Sequence, residues 1–228
     1  MLAVVYIGQL VTLAGPARPR VGAELGELGL IRDAALLIEN GRIGVAGPYR
    51  EIQSKIPPHA VVVDARGGCV TPGFVDAHTH MIFAGNRAAE FEQRIAGASY
   101  QQIAAAGGGI LSTVKATRAA SEDDLLTESR RHRDWMLRAG TTTAEAKSGY
   151  GLERETELRM LRVMARLNAE GPMQIVPTLL AAHTLPPEFA GRRDDYVRWI
   201  AEELIPEVAD LKLARFCDAF CDDHAFTV

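Results

Sequence analysis

Cysteine is scarce: Cys69, Cys217 and Cys221 are the only three in 228 residues. An odd, scattered set of that size cannot build a disulfide framework, and it points to a reducing compartment, with the cytoplasm as the expected location. Positive charge is not in excess either. Lys and Arg number 25 against 29 Asp and Glu, with no basic cluster, so a phosphate backbone finds nothing to grip and nucleic acid is not an expected partner. No apolar run reaches the roughly 18 residues a helix needs to span a bilayer, so no membrane partner is expected. The opening MLAVVYIGQLVTLAGPA imitates a secretory leader in its apolarity. It lacks a positive start, however, Gly8 and Gln9 interrupt it, and its Val, Tyr and Ile suit a strand.

What is present divides in two. Over residues 1–69 the sequence reads as short strands at Leu2–Ile7, Leu10–Leu13, Ala35–Glu39, Arg42–Val45 and Ala60–Asp64, separated by Gly-Pro, Asn-Gly and Pro-Pro punctuation. Asn40-Gly41 between ALLIE and RIGVAG is a hairpin signal, because both central positions of a type I′ turn need φ > 0. A small β module is expected here. Over 70–228 strands alternate with amphipathic helices. VTPGFVDAHTH, TTTAEAK, MQIVPTLLAA and KLARFCDAF read as strands beginning near residues 70, 141, 173 and 212. Between them, Ser121 with Asp124 forms a capping box for a helix that stops at Ala139-Gly140, and ERETELRMLRVMARLNAE and DDYVRWIAEEL read as further helices. Strand-helix alternation implies a parallel sheet, either open and doubly wound or part of a barrel. A closed eight-stranded barrel takes about 250 residues by itself, more than are available.

The sharpest motif is Asp76-Ala77-His78-Thr79-His80 at the end of the first parallel strand. Alternation along a strand puts His78 and His80 on one side, near enough for both imidazoles to share an ion. Imidazole suits zinc and iron, and strand ends in α/β folds are where functional groups collect. Cys217, Cys221 and His224 form C-x3-C-x2-H, but no second cluster completes a four-ligand zinc site, and the two cysteines share a parity that suits packing on one face. Arg87 in AGNRAAEF, Tyr150 in KSGYGL and His183 after PTLLAA have bland readings as a solvated arginine, a packed turn tyrosine and a satisfied strand histidine. The G-x-G around Tyr150 is weak as a phosphate signal, since no helix-opening glycine pattern follows in register. His59 and His132 read as surface residues.

PGFVDAHTH after a small β module resembles the amidohydrolase superfamily. HMIFAGNRAAEFEQRIAGASYQQIAAAGGGILSTVKATR, TTTAEAKSGYGL, PTLLAAHTLPPEF and FCDAFCDDHAFT narrow the resemblance to its imidazolonepropionase family, over the chain from the β module to its last residue. The resemblance implies an α/β fold: an incomplete amidohydrolase-type (β/α) barrel, about strands 1–4, preceded by a small β-sandwich-like module. It implies hydrolysis of the cyclic amide C–N bond of 4-imidazolone-5-propanoate to N-formimidoyl-L-glutamate, in histidine degradation. His78 and His80 would hold one zinc or iron ion, Arg87 the substrate propionate, Tyr150 a substrate hydrogen bond, and His183 the ring carbonyl as a catalytic and substrate-binding group. The family's third metal-binding His, its nearby Glu at strand five and its Asp at strand eight are not found here, so the chain is expected to be an inactive N-terminal fragment. Another mononuclear amidohydrolase, such as a nucleobase-type aminohydrolase, and a catalytically dead remnant stay open as alternatives. A binuclear hydantoinase-like site is disfavoured, because Lys212 stands at the start of strand four and not at its functional end. The oligomeric state is also left open, a homo-oligomer included.

Overall fold

The computed structural model describes residues 1–99, 102–103, 107–222 and 225–227. It separates into two compact units, Met1–Pro72 and Gly73–Val228, a few residues beyond the expected boundary. Among the described residues no helix is long and apolar enough to cross a membrane.

In the first unit the two opening apolar runs join into one strand, β1 (Leu2–Val11). It pairs antiparallel with β2 (Leu30–Glu39), which pairs antiparallel with β3 (Arg42–Pro48). Two short strands, β4 (Val61–Asp64) and β5 (Cys69–Val70), run parallel to β1, completing a five-stranded sheet. The Asn40-Gly41 turn takes φ +50° and +74°, the backbone a type I′ hairpin requires. A bulge between Val4 and Ile7, with Tyr6 at φ +54°, offsets the alternation of β1. Ala3 and Val5 therefore pack with Ala35, Leu37 and Ile52 of α1 (Tyr49–Ile52), whereas Ile7 and Leu10 pack with Ala34 and Leu36 on the other side. One face of the sheet is thus covered by α1, and on the other Ile7, Leu10, Ala34 and Leu36 pack with Val4, Ile31, Ala65 and Val70. A second sheet, which a full sandwich needs, is not formed among the described residues.

The second unit carries β6 (Phe74–Thr79), β7 (Thr141–Lys147), β8 (Gln174–Ala182) and β9 (Phe216–Ala219), all parallel and adjacent in chain order. A doubly wound sheet reverses strand order at a switch point, and this one does not. Barrel order is what remains. The connections contain α2 (Ala88–Ile95), α3 (Ile110–Ala119), α4 (Glu122–Arg138), α5 (Arg154–Glu170), α6 (Arg193–Trp199), a π-helical turn at Ile200–Leu204, and α7 (Ile205–Asp210). Ser121 caps α4 as expected: its hydroxyl accepts from Asp124 N at 3.1 Å, and the Asp124 carboxylate accepts from Ser121 N at 3.4 Å. Leu125, Leu126, Met160, Leu161, Met164 and Leu167 from α4 and α5 bury Ala144, Ala146, Ile175 and Leu179 of the central strands. The outer strands are less covered, with Phe74 and Phe216 more than half exposed. The last strand is shorter than its apolar run suggests, because residues 211–215 form a turn with Lys212 at φ +54°.

Candidate active site

Three consecutive strands deliver the site at their C-terminal ends. β6 ends beside His80, β7 runs into the turn Ser148–Leu152, and β8 ends just before His183. Their rings gather closely: His80 stacks on His183 at 4.7 Å between centroids and 8° between planes, and Tyr150 lies 5.0 Å from His80 and 5.4 Å from His183. His78 completes the group, 5.7 Å from His80. A cleft of about 520 Å³ opens onto Tyr150 and His183, with Phe83, Asn86, Arg87 and Ile110 on its other walls. The structure therefore brings Arg87, Tyr150 and His183 to one cavity, with His80 packed against two of them.

Backbone carbonyls set the protonation of these imidazoles. His80 Nδ1 lies 3.1 Å from the Ser148 carbonyl and His183 Nδ1 lies 2.9 Å from the Gly149 carbonyl. A carbonyl only accepts, so Nδ1 must carry the proton in both rings. The neutral ring then keeps its lone pair at Nε2. Burial, reinforced by the charges of His183 and His78, pushes His80 down to about 4, so it stays neutral across the physiological range. Burial also lowers His183, against the raising effect of its Gly149 contact. In that state His183 offers an acceptor at Nε2; the expected contact to a developing oxyanion requires a proton to be taken up first. Burial raises Tyr150, so its hydroxyl remains a donor.

Arg87 is held from behind. Its Nε donates to Glu90 Oε2 at 2.6 Å, while the other Glu90 oxygen accepts from Gly109 N and Ser112 Oγ. Burial pushes Glu90 up, but these donors outweigh it and hold it below its ordinary value. With Nε occupied, the two terminal nitrogens of Arg87 are the donors left for an anion.

The imidazole pair meets the requirements of two metal ligands. Both side chains lie on one side of the strand end, and the proton on His80 Nδ1 leaves Nε2 for an ion such as zinc or iron. Among the described residues no group of three or more His, Cys, Asp or Glu side chains could hold a metal, so an ion bound by this pair would need further ligands. Cys217 and Cys221 are both exposed rather than packed on a covered face, and His224 of the C-x3-C-x2-H motif lies outside the described residues. His132 corrects the surface reading: it is half-buried, its Nδ1 bonds the Met81 carbonyl at 2.9 Å, and its ring stacks on Phe83 at 4.9 Å. His59 is exposed.

Two polar groups were missed in the sequence. Lys147 lies 2.8 Å from both Glu145 and Asp218 on the inner side of the sheet. The spacing of Glu145 and Lys147 places them on one strand face, but only the fold brings Asp218 to them. Glu157 is fully buried. It precedes Met160, Leu161, Met164 and Leu167 at helical spacing, so an acid on an apolar stripe was the available signal.

Parallel strands in barrel order, with imidazoles, an arginine and a cleft gathered at their C-terminal ends, define a (β/α)-barrel enzyme architecture. The sequence pattern of the Amidohydrolase family matches residues 61–213, and the chain belongs to that family. Within it, the chain is 51% identical over 218 residues to an imidazolonepropionase of Solibacter usitatus, covering 96% of this chain and 52% of that protein. An imidazolonepropionase of Chloroflexus aggregans is 47% identical over 229 residues, covering 96% and 53%. The chain thus spans about half the length of the curated relatives it matches. Among solved structures, Escherichia coli guanine deaminase aligns with TM-score 0.50 at 18% identity, covering 88% of this chain and 43% of that chain. A mutant atrazine chlorohydrolase from Arthrobacter aurescens, complexed with zinc and atraton, aligns with TM-score 0.52 at 14% identity, covering 82% and 37%. At such identities these likenesses establish the amidohydrolase-type fold alone.

Proposed function

We propose that this chain is the N-terminal part of a metal-dependent hydrolase that opens the cyclic amide of 4-imidazolone-5-propanoate to N-formimidoyl-L-glutamate. The observation that carries the reading is the single cleft shared by Arg87, Tyr150 and His183, with His80 stacked against it. A substrate with a carboxylate at one end and a polar ring at the other fits that spread of groups. The terminal nitrogens of Arg87 take the propionate, oriented by the Glu90 contact at Nε. The Tyr150 hydroxyl donates to the substrate. His183 accepts through Nε2 from a ring N–H, and the proton that the attacking water releases converts it to a donor as charge develops on the carbonyl oxygen. His78 and His80 hold zinc or iron, which when bound supplies the Lewis acidity that makes water a nucleophile near neutral pH. The remaining ligands and the acid-base carboxylates come from the rest of a longer protein, in line with the half-length match to the relatives. The cytoplasm is the compartment we assign, on the three unpaired cysteines.

The test is turnover of 4-imidazolone-5-propanoate by metal-loaded protein of the relatives' full length and by the 228-residue chain alone. Turnover is expected from the first and not from the second. A full-length protein that fails to open this ring, or deaminates a nucleobase instead, refutes the activity. Turnover by the 228-residue chain with tight, stoichiometric metal refutes the incomplete site. In the active protein Arg87→Ala should raise KM for substrates bearing the propionate by about 10- to 100-fold, in line with loss of one or two charge-assisted hydrogen bonds. It should leave analogues lacking the propionate nearly unchanged; equal losses for both refute the carboxylate role.

A further inference from the structure

The turn Ser148–Leu152 touches most of the rings in the site. Its Ser148 and Gly149 carbonyls accept the Nδ1 protons of His80 and His183, and Tyr150 is its central side chain. What holds the turn lies on the far side of its backbone. Glu157, in the first turn of α5, has no exposed surface. Its carboxylate accepts from Gly149 N at 3.1 and 3.2 Å, from Gly151 N at 2.8 Å and from Leu152 N at 2.8 Å. Leu152 is itself buried and held at φ +54°, a conformation a branched side chain adopts only when its surroundings enforce it. Arg118 Nε grips the same turn from the Gly151 carbonyl at 2.7 Å. Burial raises Glu157 above its ordinary value, and this set of backbone N–H groups with the Ser148 hydroxyl opposes that rise in part. A carboxyl group buried without a cation needs such donors to satisfy its oxygens.

We infer that Glu157 is a positioning residue: by fixing the backbone of Ser148–Leu152 it keeps the Ser148 and Gly149 carbonyls where they lock His80 and His183 in the Nδ1–H tautomer. Glu157 touches no reacting atom. It acts through two carbonyls, and its effect is to leave a lone pair on Nε2 of both rings. A glutamine of equal size replaces it only in part: its carbonyl oxygen can stand where Oε1 accepts from all three N–H groups, but its NH2 group then takes the place of Oε2 and turns donors toward the Gly149 N–H and the Ser148 hydroxyl. The use of those lone pairs for metal and substrate rests on the function proposed above, but the tautomer lock does not.

The experiment follows the histidine rings of the ¹⁵N-labelled, metal-free 228-residue chain by long-range ¹H–¹⁵N NMR. In the wild type, His80 and His183 are expected wholly as Nδ1–H tautomers. In Glu157→Gln both should shift to mixtures containing the Nε2–H form that solvated imidazole prefers. Leu161→Ala, a destabilising cavity one turn further along the same helix that leaves the Glu157 carboxylate in place, should leave both tautomers intact. Retention of the Nδ1–H form in Glu157→Gln overturns the inference, and so does an equal change in Leu161→Ala, which would assign the effect to general packing. If Glu157→Gln does not fold, amide exchange of the wild type decides. Gly149, Gly151 and Leu152 N–H should exchange at least about 100-fold slower than unfolded amides, as buried hydrogen-bonded groups do, and fast exchange overturns the inference. None of these readouts requires turnover, so failure of the proposed reaction leaves them standing.

Discussion

Replacing Lys147 by Met is expected to remove the charge that ties the inner side of the sheet together. Its Nζ lies 2.8 Å from Glu145 Oε1 on the same strand and 2.8 Å from Asp218 Oδ2 on β9, across the intervening β8. Thr178 of β8 donates to Glu145 Oε1 at 2.6 Å, so the cluster spans three strands. The Lys147 side chain is 6% exposed, Glu145 21% and Asp218 44%. Met keeps the length and apolar stem but leaves two carboxylates without their cation. Removing one member of a buried pair costs about 3–5 kcal/mol; water reaches Asp218 and screens its share, so about 3 kcal/mol is expected near neutral pH. The pH dependence supplies the sharper check. Burial pushes Glu145 up, but Lys147 and Thr178 outweigh it, and Lys147 lowers Asp218 outright. Carboxylates lowered in the folded state contribute stability above their unfolded values, and that stability is lost as pH falls through the lowered ones. The gap between wild type and Lys147→Met should therefore be full at neutral pH and shrink below about pH 4. Urea unfolding followed by far-UV circular dichroism, with equal m-values required, measures it. A gap under about 1 kcal/mol at neutral pH, or one that does not change on acidification, refutes the reasoning.

The metal-free chain should also lose stability on acidification through His80, whose folded value of about 4 lies below the unfolded 6.5. The unfolded state takes the proton first, so relative to His80→Gln the loss should be about 1.4 kcal/mol by pH 5.5 and about 2.6 kcal/mol by pH 4.5; parallel pH profiles for the two proteins would show that the imidazole is not held neutral. Gly149→Ala should cost roughly 2–3 kcal/mol in denaturant unfolding, because Gly149 sits at φ +97° and a Cβ there would stand 2.6 Å from the Leu180 carbonyl and 2.9 Å from His183 Nδ1. A change of only a few tenths would mean that the turn relaxes freely.

Much of the architecture was legible because it depends on neighbours in sequence. The Asn40-Gly41 hairpin, the Ser121 capping box and the four parallel strands each follow from contacts within a few residues or from simple periodicity. The shared side of His78 and His80 is likewise a consequence of strand geometry. What local chemistry could not supply was the choice between open sheet and barrel order, settled by which strands pair. Nor could it reveal the β1 bulge that redirects Ile7, or the half-buried place of His132 beside Phe83 and Met81. The site shows the same division. The residue types at Arg87, Tyr150 and His183 were visible as candidates, but their meeting in one cleft, the Glu90 grip on Arg87 and the Nδ1 protons of His80 and His183 depend on partners up to 68 residues away. Lys147 and Asp218 are 71 residues apart. Composition and spacing determined the elements and the available chemistry; tertiary structure decided which donor faces which acceptor, because those pairings exist only after long loops have closed and water has been excluded.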